Sequence, residues 1–158
     1  RDKSLRHTSF PDRICEQGRF GQKTGAGYYR YEGREASPDP EIEKLIAESA
    51  AAAGIQRKPV SDEQIVRRIL TAMVYEGAKI LQEGFASRAS DIDVTYVYGY
   101  GFPRFRGGPM FWAEQQGLAN VHEWAQEYYR VHGGHWKPVA LLERAAAGGS
   151  WKAALGDR

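Results

Sequence analysis

The sequence predicts an all-α fold of antiparallel helices with an irregular N-terminal extension. Three observations predict it: apolar residues recur at helical spacing behind recognisable N-caps, glycine or proline interrupts the chain after each such segment, and strand-like alternation is nearly confined to residues 27–31. Residues 1–10 are polar and expected to be poorly ordered, and residues 11–17 can form a short helix that Gly18 ends. The stretch GRFGQKTGAGYYRY follows, a glycine-rich turn leading into a short extended segment, and residues 32–38 are polar and turn-rich. Asp39 before Pro40 gives an N-cap and a proline suited to the first helical turn, so a helix is expected over 39–53, with Ile42, Leu45 and Ile46 on one stripe.

Ser61 with Gln64 forms a capping box in front of the strongest helical pattern, running to about residue 83. Its core face is expected to carry Ile65, Ile69, Met73 and Ile80, widened by Val66, Leu70 and Leu81, which puts Glu76 on that face as well. Ser90 with Asp93 reads as a second cap for a helix carrying Ile92, Val94, Tyr96 and Val97. The segment from Tyr98 to Met110 holds four glycines and two prolines, too many breakers for a regular element. Helices are then expected over 109–117, 118–131 and 138–147, with a loosely held tail beyond Gly148.

Charge and composition exclude several functions. The 22 basic and 20 acidic residues are scattered along the chain and leave a net charge of only +2, no footprint for a nucleic acid or an anionic membrane. No apolar run approaches the roughly 20 residues that span a bilayer. A single cysteine, Cys15, excludes an internal disulfide, disfavours a thiolate zinc site and fits a reducing compartment. A soluble, cytoplasmic protein of bacterial type is expected. The chain opens on Arg1 in what reads as mid-sequence, so it is expected to be a piece of a longer polypeptide.

No catalytic residue can be assigned from the residues themselves. Glu76, if buried, would suit acid or base work, but a buried carboxylate needs partners, and a structural pairing with loop backbone, Arg104 or Arg106 is preferred. His122, His132 and His135 with Cys15 lack metal-ligand spacing, so no metal is expected. Backbone amides at Gly25 and Gly27 beside Lys23 could cradle an anion, although a plain turn is the preferred reading. The Tyr98–Pro109 corner could receive a flat or acyl ligand, against the simpler reading of an aromatic-filled helix corner.

Taken in their order, GRFGQKTGAGYYRY, IVRRILTAMVYEGAKILQEG and ASDIDVTYVYGYGFPRFRGGPM resemble the C-terminal part of the L-3-hydroxyacyl-CoA dehydrogenase family, in its multifunctional β-oxidation type. The pairing of K-T-G-x-G-Y with Y-G-x-G-F-P-x-x-R-G-G-P is highly specific, and the resemblance covers most of residues 13–145. It implies a hydratase/isomerase region and a Rossmann domain ahead of two tandem helical domains. Residues 1–38 would then end the first helical repeat, and 39–158 would form the second. By the same resemblance, NAD is bound mainly by the missing Rossmann domain, the catalytic pair lies outside this chain, Tyr98 matches a substrate-contacting position, and Lys23 matches a cofactor-contacting lysine. Arg67 stands where the first repeat carries a substrate-contacting asparagine, and a guanidinium cannot reproduce an amide's paired donor and acceptor. The resemblance therefore implies a scaffold that shapes the acyl-CoA cleft of an enzyme oxidising 3-hydroxyacyl-CoA to 3-ketoacyl-CoA, packing on the preceding helical and Rossmann domains and inactive alone. Two alternatives are a non-catalytic module for self-association or thiolase docking, suggested by Trp112, Trp124 and Trp136, and a stand-alone acyl-CoA binding domain.

Overall fold

A computed structural model describes residues 9–156; the expected disorder of the first residues lies mostly outside them. The chain divides after Pro59 into two compact units, taken here in turn.

In the first unit, α1 (Phe10–Glu16) buries Ile14 against Ile42 and Leu45 of α2 (Pro40–Ala52), with Phe10 and Ile46 completing a small core. Between the helices, β1 (Tyr29–Glu32) pairs antiparallel with β2 (Glu35–Pro38). The second strand was expected to be turn. Its residues are all exposed, so no hydrophobic alternation betrays it; the signal present is Gly33, which takes φ 62° at the first position of a two-residue hairpin turn.

Asp39 caps α2 by accepting the Glu41 amide at 3.0 Å, and its buried carboxylate also receives the guanidinium groups of Arg19 and Arg30. Arg19 donates in addition to the Gly27 carbonyl at 3.1 Å, so one side chain ties the glycine-rich turn to the helix start. Burial would raise the Asp39 pKa, but the bonds from Arg19, the Glu41 amide and Arg30 outweigh it and hold the carboxyl at about 2.

The second unit is organised around α3 (Asp62–Gln82), whose capping box forms as the sequence predicts, with the Gln64 amide 3.2 Å from Ser61 Oγ and Gln64 Oε1 2.9 Å from the Ser61 amide. Its inward face differs in part from the expected one. Leu70 and Leu81 are buried as expected, but Val74, Tyr75 and Ala78 complete the face, whereas Ile65, Ile69 and Ile80 are 45%, 55% and 37% exposed. Both stripes are apolar, so periodicity alone could not choose between them. Opposite α3 lie α4 (Ala89–Gly99) and α5 (Pro109–Gln116), then α6 (Leu118–His132) and α7 (Ala140–Gly148). The approach of α3 to α5 is close enough that a Cβ on Gly77 would stand 2.5 Å from the Met110 sulfur. Gln82 accepts the Leu141 amide at 2.9 Å and so caps α7 from another helix.

Two expectations fail here for identifiable reasons. The tail beyond Gly148 forms α8 (Trp151–Leu155), because Ser150 caps it and Trp151 is buried in the core, donating its indole N–H to the Met110 carbonyl at 3.1 Å. The Ser90/Asp93 cap does not form. Asp91 instead reaches back to the Arg88 amide at 3.0 Å, and Asp93 lies two residues further into α4.

From there Asp93 caps a different helix. Its buried carboxylate accepts the amides of Met110 at 2.7 Å and Phe111 at 3.1 Å, satisfying two free N–H groups at the start of α5. Burial raises its pKa, and the two amides oppose that rise. Gly108 makes the contact possible: it adopts φ 116°, and a Cβ there would stand 2.3 Å from the carboxylate.

Asp93→Asn should therefore cost about 1–3 kcal/mol in denaturant unfolding, the range for losing a buried charge-assisted bond. Gly108→Ala should cost about 2–4 kcal/mol, since strain and collision act together. For Asp39, whose pKa falls from 3.8 to about 2 on folding, the stabilisation is complete above pH 3.8 and is lost as the pH drops toward 2. Amide exchange across residues 9–59 should speed up in that window, and Asp39→Asn should flatten the dependence.

Candidate functional site

The corner between α4 and α5 is the segment that the sequence marks out for ligand contact. One aromatic pins it: Phe102 is buried edge-on to Tyr96, with ring centroids 6.4 Å apart, and its amide bonds the Tyr96 carbonyl at 3.0 Å. A single 3₁₀ turn, Arg104–Arg106, then leads to the glycine pair. The remaining aromatics, Tyr98, Tyr100 and Phe105, face solvent, so the corner's rings do not all fill the core.

Tyr98 is 72% exposed near the end of α4, with the Arg104 guanidinium 5.0 Å from its ring centroid. That stacking leaves the phenol accessible while restricting the ring. On either side of it in sequence, Tyr96 and Tyr100 line a groove of about 490 Å³ together with Ile80, Phe85, Ile92 and Thr95. Tyr98 is not among its lining residues. The groove offers apolar walls, the exposed ring a separate contact.

Lys23 belongs to the first unit, on a 3₁₀ turn, exposed, its ammonium 5.7 Å from the Phe20 ring. The amides once open to an anion are spent internally: Gly25 N–H bonds the Gln22 carbonyl at 3.1 Å and Gly27 N–H the Tyr29 carbonyl at 2.8 Å. The turn thus presents a lone cation and no anion-binding nest. By itself it does not form a dinucleotide site.

Glu76 corrects the sequence reading. It is 56% exposed and pairs with Lys79 at 3.0 Å, one turn along the same helix, because α3 turns its other face inward. Arg104 and Arg106, its suggested partners, lie over Tyr98 and Phe105 instead. Trp112 and Trp136 are buried and Trp124 partly so, which removes the tryptophans as an exposed docking face. His122 approaches Gln126 at 3.4 Å, and among the described residues no three His, Cys, Asp or Glu side chains gather as metal ligands. Sequence reasoning misread Asp93 as a local cap, since the amides it serves are 17 and 18 residues away.

Comparison with known proteins supplies the family. Residues 65–157 match the model for the 3-hydroxyacyl-CoA dehydrogenase C-terminal domain. The peroxisomal bifunctional enzyme of Danio rerio is 42% identical over 155 residues, 95% of this chain and 22% of that protein. The human peroxisomal bifunctional enzyme is 44% identical over 128 residues, 79% of this chain and 18% of its own length. A peroxisomal fatty acid beta-oxidation multifunctional protein of Oryza sativa subsp. japonica is 36% identical over 140 residues, 85% of the chain and 19% of that protein. The chain thus spans about a fifth of the length of these relatives. Their names, with glyoxysomal ones from Brassica napus and Cucumis sativus, overturn the expectation of a cytoplasmic protein of bacterial type. With the family model covering more than half of its residues, the chain belongs to the 3-hydroxyacyl-CoA dehydrogenase C-terminal domain family.

Proposed function

We propose that the chain is the C-terminal helical part of an NAD-dependent 3-hydroxyacyl-CoA dehydrogenase of fatty-acid β-oxidation, in a peroxisome-type multifunctional enzyme that converts 3-hydroxyacyl-CoA to 3-ketoacyl-CoA. Residues 1–38 close a preceding helical repeat, and residues 39–158 form the second repeat. Hydride transfer belongs to polypeptide that carries the nicotinamide cofactor; this chain shapes the acyl-CoA cleft and the domain interface. The observation that carries the reading is the exposed, arginine-backed Tyr98 ring, standing on a domain of this family. Lys23 offers a single cationic contact to a cofactor held elsewhere. When bound, NAD supplies the hydride acceptor, and the residues here orient and exclude water.

A second reading, self-association, is favoured by one observation. Ile65, Ile69 and Ile80 are exposed along one face of α3, a face that also carries the Glu76–Lys79 pair, and their apolar surface is suited to packing on another helix.

The 158-residue chain should not reduce acetoacetyl-CoA with NADH; turnover at enzyme-like rates would refute the assignment. In a multifunctional enzyme containing this chain, Tyr98→Ala should lower kcat/KM for a 3-hydroxyacyl-CoA by about 3–10-fold, mainly through KM, the signature of a lost binding contact. An unchanged kcat/KM would remove Tyr98 from the substrate site. For the second reading, sedimentation should show a concentration-dependent dimer that Ile69→Asp abolishes, and a strict monomer would eliminate it.

A further inference from the structure

One cleft of the second unit does not include Tyr98. It has a volume of about 440 Å³ and is lined chiefly by Val66 and Arg67 of α3, Arg106, Trp112 of α5 and Trp124 of α6. The Arg67 guanidinium lies 5.3 Å from the Trp124 ring centroid, and Trp124 is braced by Trp112 at 6.3 Å. Stacking of this kind fixes the plane of a guanidinium and leaves its N–H donors at the edge.

Arg67 Nε is cut off from solvent and has no hydrogen-bond partner; among the described residues it is the one buried side-chain nitrogen or oxygen in that condition. Protein interiors rarely leave such a donor unmet, because its desolvation is not repaid. Arg106 reaches the same cleft and lies over the Phe105 ring, and among the described residues it makes no ion pair. Two guanidinium groups without carboxylate partners therefore share one cleft.

Asp62 and Glu63 also line the space, and neither pairs with Arg67 or Arg106. Their charges balance those of the two guanidinium groups, which disfavours a polyanion such as a polyphosphate and leaves the unmet hydrogen-bonding capacity of Arg67 as what selects a ligand. Val66 and the two indoles supply apolar wall for the rest of the ligand.

We propose that this cleft binds a singly charged organic carboxylate, held by the Arg67 guanidinium, with Arg106 nearby and the hydrocarbon body against Val66 and Trp124. The fork geometry of arginine matches a carboxylate in this way, and lysine cannot reproduce it. The site does not depend on the dehydrogenase reading and is measured without NAD or a CoA ester.

The test is a titration of the ¹⁵N-labelled chain, following arginine Nε–H resonances, with hexanoate, hexan-1-ol and inorganic phosphate in parallel. Hexanoate should move the Arg67 resonance downfield and saturably, the signal being assigned by its loss in Arg67→Lys. Affinity should fall about tenfold in Arg67→Lys with the melting temperature preserved. Should that variant not fold, Arg106→Gln is expected to weaken hexanoate by about threefold while the Arg67 shift persists. The proposal is overturned if the Arg67 resonance does not move, if hexan-1-ol acts as well as hexanoate, if phosphate binds more tightly, or if hexanoate affinity is unchanged in the folded variant.

Discussion

Asp93 leaves α4 and delivers its carboxylate to the first free amides of α5, and the whole corner from Tyr98 to Pro109 is arranged around that pair of bonds. An eleven-residue helix and an eight-residue helix are joined by a segment with too many breakers to organise itself. Without a charged group to receive the α5 amides, the helix start would be buried with its donors unmet. Once the bond is made, Met110 is driven into the core and Trp112 is set against Trp124. The display of Tyr98 and the shape of the cleft near Arg67 thus both trace back to one carboxylate.

The first unit solves a similar problem with more charge and less apolar surface. Among the described residues its core is three buried aliphatic side chains, too few to position a hairpin and a glycine-rich turn by packing alone. Asp39 takes over that work: as cap of α2 and acceptor for Arg19 and Arg30, it joins turn, strand and helix at one point. Such a buried carboxylate is tolerable because its lone pairs are met by an amide and two guanidinium groups.

How much of this was legible in the sequence depended on the range over which each residue acts. The Ser61/Gln64 box and the Asp39 cap bond amides two or three residues away, and both were read correctly. The orientation of α3 was read only in part: Leu70 and Leu81 face inward as expected, but the helix is apolar on two faces, and the choice of the Val74, Tyr75 and Ala78 side over the Ile65, Ile69 and Ile80 side is made by the helices that pack on it. Glu76 was misplaced for the same reason. The β2 strand escaped because its residues bury nothing, and α8 because its anchor, Trp151, gains its value from Met110 and Glu114 in another helix. Tyr98 and Lys23 were singled out through motif resemblance, and the stacking of Arg67 on Trp124 requires the meeting of α3 with α6, separated by more than fifty residues.

The close approach of Gly77 to Met110 has a chemical consequence. The thioether sulfur is fully shielded, and the gap beside it will not admit even a methyl group. Oxidation to the sulfoxide would add an oxygen where there is no room and no donor to receive it. Peroxide can therefore reach this methionine only after α3 and α5 have separated, and a sulfoxide formed there would hold the two helices apart until the thioether was restored by reduction.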